Sequence, residues 1–310
     1  MIAKTLLTNC TLCPRKCGIN RENGELGICG ESSDVRLARA ALHMWEEPPL
    51  SGLAGSGTVF FSGCNLHCVY CQNISISTGK VGKAVSIERL AEIFLELQEK
   101  GALNINCVTA TQFVPQVILA LDKARSLGLK LPIVWNTSGY ESIETLEMLS
   151  GYVDIYLTDF KYASSEAAAR YSNARNYKEI ASKALDVMVS QVGNACFDDY
   201  AGCDTDFGRM TKGVIVRILL LPGQLEDAKH VLDLLAAKPY AEKLYLSLMS
   251  QYTPQPAVKE HFSELDRCVS QSEYEQFVDY ALERGFENSF MQEGSSAKES
   301  FIPDFDYEGL

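Results

Sequence analysis

No stretch of the chain approaches ~20 consecutive apolar residues, which excludes an ordinary membrane-spanning helix. Positive charge is also short: 28 Lys and Arg face 40 Asp and Glu, a formal net charge of -12 at pH 7. Phosphate binding needs concentrated cations, so nucleic acid and anionic membranes are poor partners for such a surface. Histidine is scarce, with four in 310 residues, and His43, His230 and His261 show no partnered spacing. No secretory-signal pattern opens the sequence, and no internal repeat or low-complexity tract interrupts it. The expectation is an acidic cytoplasmic enzyme with one α/β-barrel-sized domain, because 310 residues do not suffice for two large ones.

What the chain has in quantity is cysteine, 11 residues, seven of them within the first 71 positions. Three form the run Gly63-Cys64-Asn65-Leu66-His67-Cys68-Val69-Tyr70-Cys71, a C-x3-C-x2-C triplet directly after an apolar, β-rich segment. Three clustered thiols cannot all pair as disulfides, and the compartment expected is reducing. Structural zinc wants four ligands in tetrahedral array, and only His67 offers a nearby fourth. A [4Fe–4S] cube suits the loop better, since three thiolates hold three irons and leave the fourth open to a small molecule. The strand before the triplet and the helix after it are the context such a motif needs.

Four more cysteines, Cys10, Cys13, Cys17 and Cys29, are spaced C-x2-C-x3-C-x11-C among Gly24, Gly27 and Gly30. They make a closed four-thiolate metal site, which zinc and an auxiliary iron–sulfur cluster both accept. The remaining four are scattered. Cys107 alternates with apolar neighbours and reads as core, while Cys196 and Cys203 fall in a polar insertion over 193–211, where a third metal site has little support.

After residue 55 the hydrophobic pattern alternates short β-rich runs with helical stretches six times. Strands are expected at 58–61, 104–108, 132–135, 153–157, 213–221 and 243–248. Helices are expected between an N-cap at Ser86 and Gly101, from Pro115 onward, and over 142–149, 177–192, 225–235 and 272–284. Such alternation implies parallel strands joined by right-handed crossovers. The fold class is therefore α/β, a partial (β/α)6 TIM-like barrel over 51–290, with a small Cys-rich metal-binding extension over 1–50 and a tail over 291–310 packed on the barrel.

Barrel enzymes place their chemistry at the carboxyl ends of strands, and the 64–71 loop lies at one such end. After the second strand, Thr109-Ala110-Thr111 offers carbonyls and hydroxyls as acceptors. Asn136-Thr137-Ser138-Gly139 follows the third strand, in residue types that are also common in turns. Asp159 and Lys161 after the fourth share parity on an extended chain, so they either point into one cavity or form a strand-end salt bridge. On the fifth strand Arg217 is a lone guanidinium in an apolar run, costly without an anion, and a carboxylate ligand would supply one.

The C-x3-C-x2-C spacing, with aromatic Tyr70 ahead of the last cysteine, resembles the signature of the radical S-adenosylmethionine superfamily. In that superfamily the open iron is chelated by the amino and carboxylate groups of S-adenosylmethionine. The reduced cluster cleaves the sulfonium to a 5′-deoxyadenosyl radical, while the protein positions the cofactor. The resemblance implies that Tyr70 lies against the adenine. Asn136 to Gly139, Asp159 with Lys161, and Arg217 five residues ahead of Pro222-Gly223 resemble, in this order, three motifs of the glycyl-radical-enzyme activases. By that resemblance Asp159, Lys161 and Arg217 contact S-adenosylmethionine, and Thr109, Thr111, Asn136 and Ser138 belong to the same site. Two departures stand out: Asn136 replaces an aspartate that helps bind a monovalent cation, and Thr109 to Phe113 replaces a Gly-Gly-Glu run.

The amino-terminal cysteines, the stretch Trp45-Glu46-Glu47-Pro48-Pro49 through Thr58, the segment Met249 to Pro254 and the tail Ile302 to Phe305 resemble one subgroup, named for pyruvate formate-lyase-activating enzymes. The resemblance implies an oxidoreductase supplied by an external flavodoxin- or ferredoxin-like electron donor. Its radical would take hydrogen from a glycine of a partner protein, or else from another peptide or a small molecule. The competing class is a non-catalytic metalloprotein or electron carrier, but a carrier needs four protein ligands per cluster and the central loop offers three.

Overall fold

A computed structural model describes residues 6–200, 208–291 and 303–310; Cys203 and Ile302 lie outside them. Ten strands, β1 (Val35–His43), β2 (Ser56–Phe61), β3 (Lys83–Val85), β4 (Ile105–Val108), β5 (Ile133–Thr137), β6 (Ile155–Asp159), β7 (Cys196–Asp198), β8 (Arg209–Leu219), β9 (Tyr245–Met249) and β10 (Ser289–Met291), join in one sheet. Its order is β10-β9-β8-β6-β5-β4-β2-β1-β3, with β7 paired to β8. The six expected strands are β2, β4, β5, β6, β8 and β9, and they pair in parallel in that sequence. This is the α/β partial barrel.

The crossovers carry α1 (Ile87–Glu99), α2 (Val114–Ser126), α3 (Ile143–Met148), α4 (Ser165–Ser172), α5 (Tyr177–Val192) and α6 (Leu225–Ala236); α7 (Gln271–Glu283) follows β9. Ser86 caps α1, its side chain accepting from the Arg89 amide, and the helix buries Leu90, Ile93, Phe94 and Leu97 against the sheet. Strand residues alternate between two environments. Ile133, Trp135, Tyr156, Val214 and Val216 face the helices, while Val134, Ile155, Leu157 and Ile215 close the barrel interior. Continuing the inner parity one step gives Asn136, Asp159 and Arg217, so side-chain alternation alone aims three polar residues into the barrel mouth.

The structure adds elements that periodicity did not reveal. β1 is antiparallel to β2 and β3, and a register shift between Leu37 and Arg39 breaks its two-residue alternation, which hid it. The sheet therefore reaches into the first fifty residues. The insertion folds back as β7 antiparallel to the start of β8, which begins at Arg209 rather than 213. Residues 303–310 of the tail lie along β1: the Tyr307 amide donates to the Ala38 carbonyl, the Ala40 amide to that of Glu308, and Phe305 stacks edge-on against Phe60 at 5.4 Å. Among the described residues no helix is long and apolar enough to cross a membrane.

Candidate active site

The ends of β2, β4, β5, β6, β8 and β9 enclose a cavity of about 590 Å³, and Cys64, Cys68 and Cys71 all border it. The cysteine loop leaves β2 through Gly63 at φ 79°, where a Cβ would meet the Cys29 carbonyl at 2.6 Å, so only glycine allows the approach. Neighbours then fix its path. Gln112 Nε2 donates to the Ser62 and Gly63 carbonyls at 2.7 and 3.2 Å, Asn65 Nδ2 to the Tyr140 carbonyl at 2.9 Å, and the Cys64 amide to the Cys29 carbonyl at 3.2 Å. His67, the one candidate fourth zinc ligand, is turned to the Ile28 carbonyl at 2.7 Å and does not border the cavity.

Each thiol has a distinct setting. Cys64 Sγ accepts from the Leu66 amide at 3.4 Å, and Cys68 Sγ from Ser172 Oγ at 3.0 Å. Burial, reinforced by neighbouring thiolates, pushes Cys64 up and Cys71 to about 12. Cys68 is buried and Cys64 and Cys71 are half-buried; thiolates bordering one cavity are unfavourable alone and favourable beside a cationic group, so the donor types fit an iron–sulfur cluster.

The strand ends supply the remaining groups. Tyr70, Thr109, Asn136, Ser138, Asp159, Lys161 and Arg217 all border the cavity, whereas Thr111 does not. The Thr111 hydroxyl instead joins that of Thr137 in donating to Glu141 Oε1, each at 2.5 Å, and burial raises the pKa of this enclosed carboxyl. Thr109 has φ 57°, a strained setting for a β-branched residue costing ~1–3 kcal/mol, and its carbonyl accepts from Gln112 Nε2 at 2.8 Å. At Gly139, φ 76°, an added Cβ would lie 2.3 Å from the Asp159 carbonyl. The Tyr177 hydroxyl laces the two loops together, donating to the Ser138 carbonyl at 2.7 Å and accepting from the Lys161 amide at 3.0 Å.

Asp159 and Lys161 form the salt bridge at 2.6 Å and still border the cavity. Burial disfavours the ammonium, but Asp159, then Cys68 and Tyr177, outweigh it and keep Lys161 charged. Arg217 has found its anion within the chain: it forks onto Glu47 at 2.7 and 2.8 Å and also bonds Glu46. Burial alone would raise the Glu47 pKa, yet Arg217 holds it below the ordinary carboxylate range. These two glutamates border the candidate site and were not singled out in the sequence; the available signal was the anion that Arg217 requires. Burial pushes the His43 pKa down, leaving it neutral beside them. The cavity's carboxylates therefore outnumber its cations by one, Glu46, Glu47 and Asp159 against Arg217 and Lys161.

The amino-terminal cysteines also converge. Cys10, Cys13, Cys17 and Cys29 border one small pocket with Arg21, and a Cβ on Gly27 would sit 3.2 and 3.6 Å from the sulfurs of Cys29 and Cys17. The turn is closed by the Cys10 amide on the Ile19 carbonyl at 2.9 Å and the Gly18 amide on that of Cys10 at 3.0 Å. Arg21 is fully buried and bonds the carbonyls of Gln112 and Ser32 and, at 3.9 Å, the sulfur of Cys10. A guanidinium there offsets thiolate charge, although burial still pushes Cys13 to about 12 and Cys29 to about 11. Among the described residues no three Cys, His, Asp or Glu side chains are closed up around a point as a single-ion site. Cys107 is core, as expected, and Cys196 is exposed.

The Radical SAM superfamily sequence model matches residues 58–196. An uncharacterized protein of Methanocaldococcus jannaschii is 28% identical over 288 residues, covering 90% of this chain and 76% of that protein. Among solved structures, a domain of pyruvate-formate lyase-activating enzyme from Bacteroides vulgatus is 14% identical, over 58% of this chain and 91% of its own, with a TM-score of 0.38. A mutant of spore photoproduct lyase is 10% identical over 75% and 74%, with a TM-score of 0.48.

Proposed function

We propose, on the premise that this is a radical S-adenosylmethionine superfamily protein with its domain over residues 58–196, that Cys64, Cys68 and Cys71 hold a [4Fe–4S] cluster for reductive cleavage of S-adenosylmethionine. When bound and reduced by an external flavodoxin- or ferredoxin-like donor, the cluster supplies the electron that breaks the sulfonium C–S bond, giving methionine and a 5′-deoxyadenosyl radical that takes hydrogen from carbon. The carrying observation is that three thiols of one loop open onto the same cavity as the polar strand ends. S-adenosylmethionine bears an ammonium, a sulfonium and one carboxylate, a net +1 that complements the cavity's one excess carboxylate. Tyr70, edge-on to Tyr252 at 6.3 Å, would give the adenine an aromatic wall; Lys161 would supply a cation for the cofactor's carboxylate, and Thr109 and Ser138 would supply carbonyl acceptors for its ammonium. Arg217, neutralised by Glu46 and Glu47, would line the same cavity as a paired group.

Anaerobic reconstitution followed by dithionite and S-adenosylmethionine should yield 5′-deoxyadenosine. Cys68→Ala should abolish it, and product surviving that change would refute the loop's assignment. The finer reading is that the hydrogen comes from a glycine α-carbon of a partner protein. It is supported by the order of Asn136 to Gly139, Asp159 with Lys161, and Arg217 ahead of Pro222-Gly223. Paramagnetic resonance of partners captured anaerobically tests it, a glycine-centred radical being the expected signal. The four amino-terminal thiols, with buried Arg21 beside them, are proposed to hold a structural metal, zinc or an auxiliary cluster, to be identified by metal quantitation.

A further inference from the structure

We infer that Ser172 is a positioning residue for the catalytic cluster: it heads a one-way chain of hydroxyls that donates into Cys68 and raises the cluster's reduction potential. The inference rests on the assignment of the cluster to the 64–71 loop. Ser172 Oγ lies 3.0 Å from Cys68 Sγ, the Tyr162 hydroxyl 2.6 Å from Ser172 Oγ, and the Tyr70 hydroxyl 2.7 Å from that of Tyr162. All four side chains are buried, Ser172 and Tyr162 at 1% exposure, so water does not compete along the chain.

The contact is held from both sides. Ser172 ends α4, and Asn173 turns the chain there at φ 46°. Arg15 grips that turn, donating to the carbonyls of Asn173 at 2.6 Å and Ser172 at 3.1 Å, while its Nε donates to Asn65 of the cysteine loop at 2.8 Å. The Val69 amide adds a direct tie to the Tyr171 carbonyl at 2.8 Å. Donor helix and acceptor loop are thus locked at hydrogen-bond distance.

Proton counting fixes the direction. A ligating thiolate only accepts, so Ser172 gives its single proton to sulfur. Tyr162 must then donate to Ser172, sharing its one proton with Tyr70, to which it also donates, and bonds aligned head to tail polarise one another. Donation into a ligand sulfur stabilises the more negative, reduced state, which raises the potential. Cys64 receives its bond from a backbone amide, which no side-chain change removes; at Cys68 the donor is a side chain, so the sequence sets it.

The test is a redox titration of anaerobically reconstituted protein without S-adenosylmethionine, followed by the paramagnetic signal of the reduced cluster. Ser172→Ala should lower the reduced-to-oxidised ratio at the wild-type midpoint about tenfold, ~59 mV for a one-electron couple. Tyr162→Phe should shift it less and in the same direction. A Ser172→Ala protein with full iron content and an unmoved midpoint overturns the inference. If that variant fails to load, Tyr162→Phe decides, since it leaves Ser172 in place; an unmoved midpoint there overturns it equally. A wild-type protein without a [4Fe–4S] signal overturns the cluster assignment as well, so the two failures are distinct.

Discussion

Replacing Arg217 with alanine should destabilise the fold strongly at neutral pH and much less in mild acid. The guanidinium bonds Glu46 and Glu47, whose side chains are only 7% and 5% exposed. Removing one partner of a buried ion pair costs ~3–5 kcal/mol, because the other charge is left uncompensated. The penalty has a ceiling, since an orphaned carboxylate escapes by taking up a proton. At ~1.36 kcal/mol per pH unit, from an unfolded carboxyl pKa of ~4.3, protonation costs ~3.7 kcal/mol at pH 7 and ~1 kcal/mol at pH 5. In the wild type Arg217 depresses the Glu47 pKa, so the stability this group contributes is present above its unfolded pKa and is lost only as pH falls through the lower folded value. Wild-type stability from this pair is therefore flat between pH 7 and pH 5. In the variant burial is unopposed and the pKa rises, so stability falls as pH climbs. The gap should shrink by ~3 kcal/mol between pH 7 and pH 5. At ~2 °C per kcal/mol for a chain of this size, the difference in melting temperature should narrow by ~6 °C. Thermal unfolding followed by far-ultraviolet circular dichroism measures both proteins at both pH values. An equal depression at pH 7 and pH 5 would show that Arg217 acts by packing and not by charge.

Arg15→Ala should loosen the 64–71 loop by ~2–4 kcal/mol, since three charge-assisted bonds to Asn65, Ser172 and Asn173 disappear and such bonds are worth ~1.5–3 kcal/mol each without adding fully. Iron release to a chelator, timed anaerobically, should accelerate at least tenfold. Glu141→Gln addresses a carboxyl whose pKa burial raises, a shift that removes stability as pH climbs from the unfolded value through the folded one. The wild type should therefore lose melting temperature across that window relative to the glutamine variant, and parallel profiles would show that Glu141 stays ionised.

The parallel strands were legible because strands such as β2 and β4, buried along their whole length, are runs whose composition announces them. The cysteine loop stands out in the sequence because its thiols are local, three residues within eight positions, and the structure opens all three onto one cavity. β1 was not, because its bulge spoils the period on which strand recognition depends. Nothing local to α4 gave warning that Ser172 would meet Cys68, 104 positions earlier in the chain.

Arg217 shows the same division at one residue. Its inner-face position follows from strand parity, and its need for an anion follows from burial in an apolar run. That the anions are Glu46 and Glu47, 171 and 170 positions away, depends on where the segment after β1 crosses the barrel mouth. The sequence alone determined which residues are chemically able to hold a cluster and which strand ends face inward, because ligand identity and side-chain alternation are local properties. Only the tertiary structure decided which charges are already spent on one another, that His67 and Thr111 turn away, and that Cys29 braces the 64–71 loop, because each depends on contacts between segments far apart in the chain.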